Sequence, residues 1–247
     1  MIVGIIPARY ASTRYPGKPL IDIKGKSMIQ RVYEQATKCA SLNKVVVATD
    51  DARIAEHVVS FGGEVVMTGE QHPSGTDRCW DALQQISGNY QYVINIQGDE
   101  PFIDPSQIDT LCSVLKDGTA ELATLIIPVD SHEVLFDMGE VKVVLNDNME
   151  GMYFSRMVIP YIKGAEQKDW HKHHQYHRHV GMYAYRADVL EQVCKLPVSS
   201  LEKAESLEQL RWIEKGFKIK CAVTHFDSHC IDTPEDVEKV LRLMNIA

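Results

Sequence analysis

The chain opens on Ile2-Val3-Gly4-Ile5-Ile6-Pro7-Ala8-Arg9-Tyr10-Ala11-Ser12-Thr13-Arg14-Tyr15-Pro16-Gly17-Lys18-Pro19, an apolar run that passes straight into a loop carrying Arg9, Arg14 and Lys18. A continuous apolar run is how a strand buried on both faces reads. No carboxylate appears before Asp22, although the formal net charge of the whole chain is -8. Forked guanidinium donors and a mobile ammonium just past the C-terminal end of a strand suit a polyphosphate. A solvated surface loop also tolerates such charges, so this stretch needs support from elsewhere in the chain.

Working outward, short β-branched runs alternate with stretches of helical period. Ile2–Ile6 reads as the first strand. Ser27 caps a helix through about Ala40, with Met28, Val32 and Ala36 on one face. Lys44–Ala48 is a second strand, Ala52–Phe61 a helix and Glu64–Met67 a short strand after Gly62-Gly63. Thr76 opens a helix through about Ile86, and Tyr92–Ile96 is another apolar strand. This rhythm predicts an α/β fold: a Rossmann-like, mostly parallel central sheet flanked by helices, with right-handed crossovers and ligands at the C-terminal strand ends.

After about residue 120 the pattern loosens. Leu122–Val129, Val141–Leu145 and His179–Tyr185 read as strands, and residues 160–178 as a polar, His- and Lys-rich stretch. Ser206–Gly216 is helical, Lys218–Val223 a strand and Thr233–Met244 a closing helix. The expectation is one domain over residues 1–247, with about 130–190 inserted into it.

With 247 residues the chain is long enough for a proper core, and 45% apolar with 24% charged residues is an ordinary globular composition. The acidic balance excludes a general nucleic-acid or anionic-membrane surface. No apolar run approaches the roughly 18 residues of a membrane-spanning helix. The N-terminus lacks a basic region and meets Pro7 at once, which does not read as a signal peptide. The six cysteines form no CxxC pair and read as free thiols of a reducing cytosol.

Two acidic motifs supply what the opening loop lacks. The loop is neither a Walker A motif nor a GxGxxG fingerprint. Gln97-Gly98-Asp99-Glu100-Pro101 follows a predicted strand, where a carboxylate can hold Mg²⁺ and leave its other positions to phosphate and water; a simple turn before Pro101 is the plainer reading. In Cys230-Ile231-Asp232-Thr233-Pro234-Glu235-Asp236, Thr233, Pro234 and Asp236 already start a helix, so Asp232 is surplus to capping. Asp99 and Asp232 together would face the Arg/Lys loop as the minimum apparatus for phosphoryl or nucleotidyl transfer. Ser74-Gly75-Thr76-Asp77-Arg78 is a second loop-to-helix start, in which Arg78 either reaches a nucleotide or pairs with an acid. His171, His173, His174 and His177 lack metal-site spacing and read as a solvated loop, whereas His179 opens a strand. Leu207 and Leu210 look like core, and Glu208 and Gln209 like exposed helix positions.

Taken together, IIPARYASTRYPGKPL, VVVATDD, SGTDR, INIQGDEP, VKVVL, YFSR, HVGMYAYR, SLEQLR and IDTPEDVE run from residue 2 to 238. In that order they closely resemble the 3-deoxy-manno-octulosonate cytidylyltransferases, the CMP-Kdo synthetases. The resemblance implies a nucleotide-diphospho-sugar transferase type of fold with an inserted β-rich dimerisation and substrate subdomain. It implies CTP and a 3-deoxy-2-ulosonic acid as substrates, Mg²⁺ as cofactor, a cytoplasmic homodimer and a product for lipopolysaccharide biosynthesis. By position, Arg9, Arg14 and Lys18 would hold the CTP phosphates, while Ala8, Ser74 and Arg78 would help seat the nucleotide. Asp99 and Asp232 would bind Mg²⁺. Gln97, Arg156, His179, Tyr183, Glu208 and Gln209 would contact the sugar acid, with Arg156 a natural partner for its carboxylate. Asp77 stands where many family members have Glu, and residues 163–178 are unusually His-rich; both leave the sugar acid open between Kdo, 8-amino-Kdo and a nonulosonic acid. A non-catalytic nucleotide-binding regulator is the alternative from another class.

Overall fold

A computed structural model describes residues 1–11, 15–118, 120–227 and 229–244. The strands are β1 (Ile2–Ala8), β2 (Asp22–Ile23), β3 (Lys26–Ser27), β4 (Lys44–Thr49), β5 (Val65–Met67), β6 (Tyr92–Asn95), β7 (Leu122–Val129), β8 (Lys142–Leu145), β9 (Gly151–Ser155), β10 (Tyr176–Arg186) and β11 (Lys220–Val223). The helices are α1 (Met28–Ala36), α2 (Ala52–Ser60), α3 (Gly75–Gln85), α4 (Pro105–Lys116), α5 (His132–Phe136), α6 (Trp170–His173), α7 (Ala187–Cys194), α8 (Ser200–Glu205), α9 (Gln209–Glu214) and α10 (Pro234–Leu243).

Strand β1 shows why the sheet is covered on both sides. Its side chains alternate, so Ile2, Ile6 and Ala8 pack on one face with α1, α2 and α4. Val3 and Ile5 pack on the other with α3, α7 and α9. The main sheet runs β11-β7-β10-β6-β1-β4-β5, with β8 and β9 attached beside β10. β1 pairs in parallel with both β4 and β6. β10 is antiparallel to its neighbours β6 and β7, so the sheet is mixed but mostly parallel.

From β1 the chain first builds outward through β4 and β5, then returns to place β6 on β1's other side. The loops leaving β1 and β6 therefore diverge, and the crevice between them is the switch point where open α/β sheets bind ligands.

Several elements correct the sequence reading. β10 begins at Tyr176, and Trp170 and Tyr176 are buried with Val129 and Leu135 in a satellite core, so residues 160–178 are not one solvated loop. Two aromatic anchors outweigh the polar residues around them. Helix α3 is capped by Ser74, whose hydroxyl accepts from Asp77 N, so Thr76 already lies inside the helix. The expected helix over 206–216 is shortened to α9, and a separate helix, α8, precedes it and ends where Ser206 turns left-handed at φ 54. Helix α4 carries a signal of its own: Asp104 and Gln107 cap each other reciprocally around Pro105.

Candidate active site

The opening loop is closed at its neck. Gly17 N–H donates to the Tyr10 carbonyl at 2.9 Å, and Gly17 sits at φ 72. A Cβ there would also press on the Tyr10 ring at 3.1 Å, so glycine is the residue that fits. The neck delivers Lys18, whose Nζ donates to Asp99 Oδ2 at 2.9 Å and to Asp232 Oδ1 at 3.0 Å.

The two acids arrive by different routes. Asp99 follows Gly98, where an added Cβ would lie 2.8 Å from the Pro7 carbonyl oxygen, so only glycine lets the β6 loop approach β1 this closely. Asp232 is brought in by its neighbour: Ile231 N–H donates to the Asp99 carbonyl at 2.9 Å. The Ile231 side chain is buried with Ile23, Met28 and Val240. Asp236 accepts from Asp232 N–H and Thr233 N–H, so the start of α10 is satisfied without the Asp232 carboxylate. Burial opposes the charge on Lys18, but the adjacent Asp99 and Asp232 carboxylates outweigh it and hold the ammonium above its ordinary pKa.

These groups line a cavity of about 280 Å³. Of the expected residues, Ala8, Arg9 and Lys18 line it from the β1 side, Ser74 and Arg78 from α3, and Gln97, Asp99 and Asp232 from the β6 side and the α10 start. Arg14 lies outside the described residues. Arg78 is buried and donates to Thr68 Oγ1 at 2.6 Å and to Asp50 Oδ2 at 3.1 Å, so it is locked into the wall by an acid while still facing the cavity. Gln97 Nε2 donates to the Gly181 carbonyl at 2.5 Å, at the register shift between Val180 and Tyr183 where β10 leaves its ladder with β7.

Behind this wall, Glu208 is mostly buried rather than exposed. It accepts from Thr76 Oγ1 at 2.9 Å and stands 3.0 Å from Ser74 Oγ, and burial pushes its carboxyl above the ordinary value. His179 lies 2.9 Å from Thr124 Oγ1, edge-on to Phe154, and burial pulls its pKa down to about 3, so the ring is neutral. Tyr183 packs edge-to-face on Trp212 with ring centres 5.0 Å apart. Tyr183 Oη, Gln209 Nε2 and Trp212 Nε1 are buried polar atoms with no hydrogen-bond partner among the described residues. Such atoms are uncommon in a finished core and mark a place prepared for polar contacts.

Arg156 is not brought to this cavity. Its Nε donates to the Glu205 carbonyl at 2.9 Å and its Nη1 to the Met138 carbonyl at 3.2 Å. It borders a separate hollow with Phe136, Met138, Met157 and Trp170. Of the histidines in the 171–177 stretch, His174 packs edge-on to Tyr176 with ring centres 4.8 Å apart, and among the described residues no group of three or more His, Cys, Asp or Glu stands together as a metal site.

Asp99 and Asp232 nevertheless fit Mg²⁺. They are hard oxygen donors that already converge on one cation, the Lys18 ammonium, and Mg²⁺ is commonly held by one or two carboxylates, waters and substrate phosphates. Sequence reasoning passed over His72, which lines the same cavity beside Pro73, and Trp212, whose indole N–H joins the unpartnered group. The signal for His72 was its place two residues before SGTDR.

Solved structures confirm the architecture. The structure matches CMP:2-keto-3-deoxy-manno-octonic acid synthetase complexed with CTP at a TM-score of 0.91 and 43% identity, covering 99% of this chain and 98% of that one. A glucose-1-phosphate thymidylyltransferase of Bacillus anthracis shares the fold alone, at TM-score 0.65 and 14% identity over 100% of this chain and 96% of that one. Fold and site thus define the nucleotidyltransferase class. A family model described as cytidylyltransferase matches residues 3–219. The chain is 54% identical to the 3-deoxy-manno-octulosonate cytidylyltransferase of Parabacteroides distasonis over 246 residues, covering 98% of this chain and 97% of the relative. It is also 46% identical to the 8-amino-3,8-dideoxy-manno-octulosonate cytidylyltransferase of Shewanella halifaxensis over 236 residues, 94% of each. The chain therefore belongs to the cytidylyltransferase family, among the 3-deoxy-manno-octulosonate cytidylyltransferases.

Proposed function

We propose that this enzyme transfers CMP from CTP to the anomeric 2-hydroxyl of 3-deoxy-D-manno-octulosonate (Kdo), releasing pyrophosphate and forming CMP-Kdo for lipopolysaccharide biosynthesis. The observation that carries this reading is the Lys18 ammonium held between Asp99 and Asp232 at the mouth of the switch-point cavity.

In the reaction the sugar hydroxyl oxygen forms a bond to the α-phosphorus as the bond from that phosphorus to the bridging oxygen breaks; the hydroxyl proton passes to solvent, and pyrophosphate leaves with the electron pair. Lys18 and Arg9, with Arg14 from the same loop, neutralise the triphosphate and the charge that grows on it. Ala8, Ser74 and Arg78 seat the nucleoside. Gln97, His179, Tyr183, Glu208 and Gln209 orient the sugar acid, a reading supported by the unpartnered Tyr183 Oη and Gln209 Nε2. Asp99 and Asp232 would hold Mg²⁺, which when bound supplies a Lewis acid for the phosphate oxygens and lowers the pKa of the attacking hydroxyl. No protein nucleophile enters, since holding both substrates in line provides the rate.

The proposal extends to a cytoplasmic homodimer. The cysteines are free thiols, in keeping with a reducing compartment. No helix among the described residues is long and apolar enough to cross a membrane. Met138, Met152, Met157 and Tyr161 are all exposed within the 130–190 segment, an apolar surface suited to a second copy.

The test is pyrophosphate release across four NTPs against Kdo, 8-amino-Kdo, a nonulosonic acid and a sugar 1-phosphate, with and without Mg²⁺. Release is expected with CTP and Kdo when Mg²⁺ is present. CTP binding without release on any acid would instead support a regulator.

A further inference from the structure

The cavity has two unlike walls. One holds Lys18, Asp99 and Asp232, where the phosphates belong. The other is the contiguous run His72-Pro73-Ser74-Gly75 with the Pro7 ring packed against Gly75, and its one fixed charge, Arg78, is already compensated by Asp50. A largely neutral wall flanked by proline rings is the place for a flat heterocycle.

His72 is the one titratable ring on that wall, and its chemistry is set from behind. Nε2 lies 2.6 Å from Asp81 Oδ2. The same oxygen accepts from Gly69 N–H at 2.9 Å, and Oδ1 accepts from Gln85 Nε2 at 2.9 Å. An ionised carboxylate is an acceptor only, so the Nε2 facing it carries the proton. In the neutral ring Nδ1 is then an acceptor, and it makes no hydrogen bond within the described residues.

We propose that His72 reads the base of the nucleotide: Nδ1 accepts a hydrogen bond from the exocyclic amino group of cytosine, and Asp81 is the positioning residue that fixes the ring's tautomer and orientation. The inference rests on the proposed CTP chemistry and names what selects the base within it. Uracil presents a carbonyl oxygen where cytosine presents the amino group, so UTP would set acceptor against acceptor and leave His72 unsatisfied.

The experiment compares CTP with UTP in two ways: by kcat/KM for pyrophosphate release with Kdo and Mg²⁺, and by calorimetric binding without any sugar acid. His72→Ala is expected to lower the CTP-over-UTP ratio about tenfold, the scale of one hydrogen bond, chiefly through KM for CTP. His72→Asn, whose amide oxygen stands near the Nδ1 position, should keep most of the ratio. Asp81→Ala should lower the ratio less, and should lower it no further when added to His72→Ala; a merely structural effect would instead depress kcat for both nucleotides in each background. An unchanged ratio in folded His72→Ala overturns the inference. Calorimetry separates this failure from failure of the transfer reading. A protein that turns nothing over, yet loses its binding preference for CTP on His72→Ala, keeps the base assignment; one that binds CTP and UTP alike before any substitution loses it.

Discussion

Ser74 Oγ and Glu208 Oε1 stand 3.0 Å apart across 134 positions of sequence. The pair ties the start of α3, which lines the switch-point cavity, to the polar group of Tyr183, Gln209 and Trp212. A carboxylate in that place is costly, since burial pushes the Glu208 carboxyl above its ordinary value of 4.5 despite help from Thr76, Arg211 and Ser74. Between that value and its folded-state value, the folded protein keeps a proton that the unfolded chain has released. Stability therefore falls as pH rises through this window. Glu208→Gln should flatten that slope, so in urea unfolding its stability relative to the unsubstituted protein rises from about pH 4 to about pH 7. A constant difference would show that Glu208 does not titrate in this range.

Lys18 should matter more to rate than to stability. Removing its ammonium leaves Asp99 and Asp232 facing each other without the cation that joins them. Lys18→Ala is expected to lower kcat by about 10²- to 10³-fold, the loss seen when one donor to developing charge is deleted. Asp99→Asn should lose turnover on a similar scale with the fold intact, and far-ultraviolet circular dichroism alongside pyrophosphate release checks both variants.

Gly98 tests the close approach of the β6 loop to β1. The added methyl of Gly98→Ala would sit 2.8 Å from the Pro7 carbonyl oxygen, a backbone atom with little room to move. We expect a stability loss of about 1–3 kcal/mol, the usual cost of overpacking, and a fall in activity because Asp99 shifts with its loop. Thermal unfolding and pyrophosphate release report the two effects separately.

Lys142 is a buried cation outside the cavity. It is 1% exposed and donates to the carbonyls of Asp137 at 2.7 Å and Glu140 at 2.5 Å, which closes the turn into β8. Lys142→Met keeps the stem but leaves two inward carbonyls without their donor. The expected destabilisation is about 2 kcal/mol, within the range for unpaired buried polar groups. Chemical unfolding measures it.

The exposed apolar residues of the 130–190 segment supply the test of assembly. Met157→Glu combined with Tyr161→Glu should convert a dimer into monomer in size-exclusion chromatography with light scattering. An unsubstituted protein already monomeric at micromolar concentration would refute the dimer.

Much of the candidate site was legible in the sequence because the signals are local. An apolar strand running into cations, a glycine beside an acid and an acid left over from helix capping are each read within a few residues. Asp232 illustrates this, since Asp236 does occupy the capping positions and leaves the Asp232 carboxylate to Lys18. The polar pocket behind it was not legible in the same way. Glu208 and Gln209 sit one after the other in a short helical stretch, and nothing nearby says that Ser74 and Thr76 will cover one of them. Likewise the pairing of His72 with Asp81 had no prominent motif to announce it.

By itself the sequence determined the alternation of the main strands and helices from β1 to β6, the charge of the loop after β1 and the identity of the charged groups Arg9, Lys18, Asp99 and Asp232 that line the cavity. These follow from periodicity, glycine geometry and capping, which act over a turn or a strand. Only the tertiary structure decided that β10 runs against its neighbours, that Ile231 docks on Asp99 and that Arg156 faces a different hollow. Those outcomes depend on which distant surfaces bury each other, and burial is a property of the packed chain rather than of any segment within it.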